Sequence, residues 1–340
     1  MKKFLVVCAA SLLLCLHGTA QEYVRVAEAD DAGTGVGLSV IPRLDLNYSG
    51  DFTFGDSSLY SLFEGDITDW LSFSICNHWA NFGLDDNGKL DKDAIKSLYR
   101  NTGICYDVNW IDWANVTLSF GNFGLTLGKQ PMTFGGFEFD AYDVESFSFL
   151  NSSLWNNLQV YQWGAKLAWA NEDENTTLSL QMTTSPFETT PFKQNLFNYS
   201  AEWRGEYGPF SNIWSIDVAK FGPKGYETMI SLGQRYALDD MFTVGLDVYN
   251  RVGNEYDMVD NGLTMIPSII FAPNEKLQLT ARLGGEIASE TKNKDLVIGL
   301  DGYWFPFESL RLHFATGYRH DDNMFAATIG AIYYLNFSLK

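Results

Sequence analysis

From Val36 almost to the C-terminus, apolar and polar residues alternate with period two, the spacing of strands with one greasy and one wet face. In LSVIPRLDLNY, the residues Leu38, Val40, Pro42, Leu44, Leu46 and Tyr48 share one face. Ser39, Ile41, Arg43, Asp45 and Asn47 share the other. The contrast returns in FNYSAEWR, FTVGLDVYNR, LQLTARLGGEI, LVIGLDGYW and FAATIGAIYYLNFSL. In RLHFATGYR, Leu312, Phe314, Thr316 and Tyr318 oppose Arg311, His313, Ala315, Gly317 and Arg319. The pattern predicts strands over about 36–49, 57–66, 70–79, 114–121, 123–130, 158–170, 176–184 and 196–206. It predicts further strands over about 212–221, 225–236, 241–251, 262–272, 276–288, 294–304, 308–319 and 323–339. That makes about sixteen strands, each near the ten or so residues that a tilted membrane strand needs.

The connections differ in character. Short ones are predicted at 67–69, 121–122, 171–175, 208–211, 238–241, 273–275 and 306–308, and long ones at 80–113 and 131–157. Short turns at one rim and long loops at the other are how outer-membrane barrels are built. A soluble sandwich would instead bury the apolar faces between two sheets. Its core could not hold Arg311, His313 and Arg319 on the opposite faces without a large desolvation cost, unless partners were supplied. Trp203, Trp304, Tyr333 and Phe337 fall near predicted strand ends on the apolar face, where an interfacial aromatic girdle sits. The reading is an all-β transmembrane antiparallel barrel of about sixteen strands, apolar face to lipid and polar face to a water-filled lumen.

Composition adds an address. MKKFLVVCAASLLLCLHGTAQE has a charged start, an apolar run from Phe4 to Leu16 and small residues before Gln21. This is the layout of a secretory signal cleaved after Ala20, too short to span a bilayer as a helix. Residues 21–35 read as a flexible leader, and 36–340 as the barrel. Loss of Lys2 and Lys3 takes the net charge from −19 to −21, which argues against a nucleic-acid partner. Cys8 and Cys15 leave with the signal, so the mature chain is no disulfide scaffold. Cys76 and Cys105 are left either as a pair formed after export or as two thiols. The aromatic content of 15% is high for a soluble domain and suits membrane girdles.

The stretch LGKQPMTFGGFEFDAYDVESFS, residues 127–148, resembles the phosphate-selective porin O/P-like outer-membrane porins, in particular their Bacteroidetes relatives. The match lies in a strand ending Gly128-Lys129-Gln130, followed by Gly135-Gly136-Phe137-Glu138-Phe139-Asp140. The resemblance implies a third loop that folds into the barrel and narrows the pore. Phosphate carriers of that family line the pore with a dense Lys/Arg ladder, whereas this loop carries Glu138, Asp140, Asp143 and Glu145. The departure puts phosphate selectivity in doubt. The chain also ends Phe337-Ser338-Leu339-Lys340 rather than on the aromatic residue common in such barrels.

The registers place Arg43, Lys166, Arg204, Arg235, Arg251, Arg282, Arg311 and Arg319 on the lumen wall. Asp45, Glu202, Asp217, Glu227, Asp247, Glu286 and Asp301 face the same water. Basic wall residues opposite an acidic loop would form an eyelet with a transverse field that tunes passage. The plainer alternative is that charges avoid lipid, where Arg or Lys costs about 2–4 kcal/mol at mid-bilayer. The segment 85–100 fails as a calcium loop, because Gly83 and Ala94 fall at its first and last ligand positions. It reads as a polar turn and a short helix capped by Asp91. No zinc spacing, phosphate loop or cofactor motif occurs, and no catalytic or metal residues are assigned. The expected function is passive diffusion of ions or small hydrophilic solutes across an outer membrane. The alternatives are a sealed barrel that acts as a surface binding or adhesion module, and a barrel hydrolase using His313 or His320. Porins of this size often form trimers, and no residue in the sequence decides the assembly.

Overall fold

In a computed structural model of the chain, residues 35–54, 57–82, 111–140, 160–187, 192, 195–221, 225–252, 262–287, 294–320 and 323–339 are described. Eighteen strands form one antiparallel sheet that closes on itself. They are β1 (Val36–Tyr48), β2 (Phe52–Thr53), β3 (Ser57–Thr68), β4 (Leu71–Phe82), β5 (Ile111–Phe120) and β6 (Phe123–Pro131). Next come β7 (Tyr161–Ala170), β8 (Thr176–Thr184), β9 (Phe197–Tyr207), β10 (Phe210–Phe221), β11 (Gly225–Ala237) and β12 (Phe242–Val252). The last are β13 (Leu263–Asn274), β14 (Leu277–Ile287), β15 (Lys294–Phe307), β16 (Leu310–Arg319), β17 (Met324–Tyr333) and β18 (Leu335–Leu339). Because β2 has two residues and β18 carries β17 onward, the barrel has sixteen long staves.

Closure is made by β1, which pairs with β3 on one side and with β17 and β18 on the other. Leu46 stands opposite Ile329, and Leu38 opposite Phe337. A closed sheet leaves no unpaired edge, the condition for strands to cross hydrocarbon. One end carries the short connections, such as 69–70, 121–122, 208–209 and 308–309. The start of β1 and the end of β18 meet at that end too.

The outer face is apolar in the predicted register. Leu180, Ile269, Ile298 and Ile329 are more than half exposed on it, which suits lipid rather than water. Trp203, Trp304, Tyr333 and Phe337 all face outward toward the short-turn end. Trp203 meets Trp214 edge-on with ring centroids 5.1 Å apart, and Phe120 stacks on Phe123 beside the 121–122 turn.

The element boundaries differ from expectation in a few places. The strand predicted for 70–79 runs to Phe82, and its neighbour begins at Ile111 rather than 114, so the loop between them shrinks to 83–110. The Phe305-Pro306-Phe307 segment is strand rather than turn. Its register shifts between Trp304 and Phe307, an irregularity that tolerates a proline lacking the ladder N–H. The predicted 323–339 strand breaks at Tyr334 into β17 and β18, while its facing pattern continues. The signal, the leader to residue 34, the 85–100 segment and Cys105 lie outside the described residues. Cys76 is a buried free cysteine.

Candidate functional site: a constriction inside the barrel

The inner wall from β8 to β12 is polar by strand parity: Gln181, Ser200, Ser215, Asp217, Ser231 and Asp247 all point inward and are buried. What covers them is the segment after β6. It leaves the wall at Pro131 and crosses the inner face to β12 within a few residues. Thr133 N donates to Gln181 Oε1 at 2.7 Å, and Gln181 Nε2 donates back to Pro131 O at 2.9 Å. Gly135 N donates to Ser215 Oγ at 2.7 Å, and Gly136 N to Ile213 O at 2.9 Å. The segment then enters one helical turn, α1 (Phe137–Asp140).

Asp247 on β12 receives that turn. Its Oδ1 accepts from Phe137 N at 2.8 Å and its Oδ2 from Glu138 N at 3.0 Å. Each carboxylate oxygen thus satisfies one N–H that a helix start leaves orphaned. Asp217 acts one layer behind. Ser200 donates to its Oδ1, and Ser215 donates to its Oδ2 at 2.8 Å. With the Ser215 proton aimed at Asp217, the Ser215 oxygen keeps a lone pair for Gly135 N–H.

Two glycines make the close approach possible. A methyl on Gly135 would overlap backbone atoms of Ser231 and Ser215. A methyl on Gly136 would overlap the Tyr249 ring, and Gly136 also has φ +90°, which favours glycine. Apolar contact adds to the docking: Met132 and Phe134 pack in a buried cluster with Ala219, Met229, Tyr249 and Ile266 of the inner wall. The Arg235 guanidinium lies 3.9 Å from the Phe137 ring centroid.

The eight basic wall residues of the sequence reading all face the lumen, and four of them engage acids of the wall. Arg43 donates to Asp45 Oδ2 through Nη2 at 2.5 Å and Nε at 2.8 Å. Arg251 Nε donates to Glu227 Oε1 at 2.5 Å. Arg204 lies 3.8 Å from Glu202, and Arg282 lies 3.6 Å from Asp301. Arg235 goes to the loop through Phe137, and Arg311 lies 5.8 Å from the Tyr303 ring centroid. Lys166 stands opposite Thr126 and Gln181 on the inner face, and Arg319 opposite Val297 near the far end of β16. Of the four loop acids, Glu138 is brought to β12, and the backbone of Asp140 closes the helical turn. The Asp140 side chain, Asp143 and Glu145 lie outside the described residues.

Across β1, β17 and β16 a second constellation is sealed into the wall. Asp45, Gly330 and His313 form one cross-strand row, and His313 Nε2 lies 3.0 Å from Asp45 Oδ1. Gly330 has no side chain because the pair occupies that space: a methyl there would overlap both the carboxylate and the imidazole. Gly330→Ala is expected to destabilise the barrel by about 1–3 kcal/mol through overpacking. The lowered temperature at which the folded band converts in heat-modifiability electrophoresis measures this. An unchanged transition would refute the packing role of Gly330. His313 is thereby tied into the wall, and His320 sits exposed beyond β16. Among the described residues, no group of three or more His, Cys, Asp or Glu is placed to hold a metal ion.

Sequence reasoning placed Asp217 and Asp247 on the wall but missed their task. It placed Tyr249 on the same face without a role, and it missed Gln181 and Ser215 altogether. The one usable signal was the Gly135-Gly136 pair, which marks a close backbone approach without saying to what.

No protein-family profile matches this chain, and no curated protein matches it. Solved structures do. The outer membrane channel DcaP of Acinetobacter baumannii aligns with a TM-score of 0.59 at 15% identity, over 90% of this chain and 98% of its own. A mutant of the Rh. blastica porin aligns with a TM-score of 0.58 at 14% identity, over 88% of this chain and 100% of its own. A loop-deletion mutant of OmpT, an outer membrane protein of Vibrio cholerae, aligns with a TM-score of 0.57 at 14% identity, over 89% and 100%. With the closed sixteen-stave sheet and its apolar exterior, these likenesses establish that the chain has the fold of the outer-membrane porins.

Proposed function

We propose that the chain is an outer-membrane porin, exported by its N-terminal signal, through which ions or small hydrophilic solutes diffuse passively. The observation that carries this reading is the segment 132–138, folded inside the barrel and fastened to the wall by Ser215 and Asp247. In this reading the loop narrows the lumen, and the paired charges around it offer water-like partners to a solute shedding its hydration shell. The reading agrees with the resemblance of residues 127–148 to the phosphate-selective porin O/P-like family. The acidic loop speaks against phosphate as the cargo. A homotrimer is the assembly to test first.

A second reading, a sealed barrel that serves as a surface binding module, draws on one fact: Asp45, Arg311 and Ile332 have no exposed surface at all. Planar-bilayer recording of the purified, refolded mature protein in a salt gradient separates the two. A porin gives discrete conductance steps, and the sign of its reversal potential reports the ion preferred. A folded protein that stays silent would sink the porin reading.

A further inference from the structure

One sector of the inner wall is built unlike the rest. Along part of β1, β3, β4 and β5 the register gathers apolar and aromatic side chains on the inside, bordered by Arg43 and Asp45 toward one end and by Glu64 and Asp66 toward the other. Ile41 stands opposite Tyr60, and Tyr60 opposite His78. Leu62 stands opposite Cys76, and Cys76 opposite Trp113. Directly opposed residues share a face, and this face is continuous with inward Ser39, Arg43 and Asp45 on β1.

The sector is layered. Ile41, Leu62, Cys76 and Ile332 form a floor that is sealed from solvent, and Tyr60, Trp113 and Phe305 lie upon it with part of their surface open. The rings are fixed. Tyr60 stacks on His78 with centroids 4.2 Å apart and planes at 17°. The Trp113 indole N–H donates to Ser74 Oγ at 2.8 Å. Phe305 meets Tyr303 edge-on at 5.6 Å and lies 6.3 Å from Tyr334. At its edge stands Arg43, two residues beyond Ile41 on the same face, its side chain mostly buried and held by Asp45.

A wall that only passes hydrated ions gains nothing from open rings, since apolar area left in water costs about 25 cal/mol per Å². Held rings beside a guanidinium and an imidazole suit a solute that is apolar on its faces and hydroxylated around its rim. A pyranose has that shape: its C–H face packs on an aromatic ring, and its hydroxyls bond the polar border. We infer that this sector is a stacking surface for a small saccharide. The inference rests on the porin reading for its role in transport, but the site itself can be tested without it.

The test combines current recording with calorimetric titration of the detergent-folded barrel, using glucose, maltotriose and N,N′-diacetylchitobiose as probes. The expected result is binding by at least one of them, seen as concentration-dependent interruption of the current. Trp113→Ala should weaken it about tenfold, and Trp113→Phe should restore most of it. Tyr60→Leu keeps apolar volume, removes a ring and should also weaken binding, which guards against a Trp113→Ala protein that does not fold. A conducting channel that none of the three saccharides interrupts or binds overturns the stacking surface and leaves the porin standing. A silent barrel that binds saccharide through Trp113 keeps the surface and removes the pore. Binding unchanged in both ring variants overturns the inference.

Discussion

Asp247→Ala is expected to free the loop from the wall. Its carboxylate holds two backbone N–H groups, one on each oxygen, at the start of α1. Bonds to a charged acceptor are worth about 1.5–3 kcal/mol each, and an N–H left buried without a partner adds its own cost. Docking should therefore weaken by about 3–5 kcal/mol, more than the remaining bonds from Gly135 and Gly136 can offset. Asp247→Asn should fall between, because a carboxamide offers one acceptor oxygen and turns an N–H₂ toward the second donor. Two readouts apply. Amide exchange at Gly135, Phe137 and Glu138 should lose protection, and single-channel current should become larger and noisier as the constriction wanders. Full protection in the Ala variant would show that Asp247 does not hold the loop.

The second large effect concerns the direction of every strand. Leu180 lies at the centre of β8, faces outward and is well exposed, between Leu167 and Ala201 on the neighbouring strands. Leu180→Arg puts a guanidinium against hydrocarbon at the bilayer midplane and should cost about 2–4 kcal/mol. Ser179→Arg, one residue earlier, points inward beside Glu202 and should be far better tolerated. Refolding of both variants into lipid vesicles, followed by urea titration, gives the comparison. Equal penalties would mean that the lipid and lumen faces have been exchanged.

That comparison turns on strand parity, which is where the sequence speaks most clearly. Alternation alone orients Leu312 against Arg311 and Leu44 against Arg43, because neighbouring side chains on a strand must point to opposite faces. The same rule finds the number of staves, the short-turn rim and the outward Trp203 and Trp304. It fails at Pro306, where a register shift lets the strand run on through a residue that usually stops one.

Partnership within the lumen was not legible, for a geometric reason. Arg251 and Glu227 lie on adjacent strands, 24 residues apart, and Asp45 and His313 lie 268 apart. Parity says that all four face inward, but only the stagger of one strand on the next says which will touch. The loop makes the point more strongly. Its four acids drew attention as a charged rim, yet the structure seats it through uncharged atoms: backbone N–H groups of Gly135, Phe137 and Glu138 against Ser215 and Asp247. Backbone donors are the same at every residue, so no sequence pattern announces them.

By itself, then, the sequence determined that this is a closed membrane barrel with a polar inner face, since a bilayer imposes a local rule that each strand obeys on its own. Only the tertiary structure decided where the loop lies, why Gly136 and Gly330 carry no side chain, and which inner sector gathers aromatic side chains. Each of those depends on what stands opposite after the sheet has closed, a relation among residues far apart in the chain.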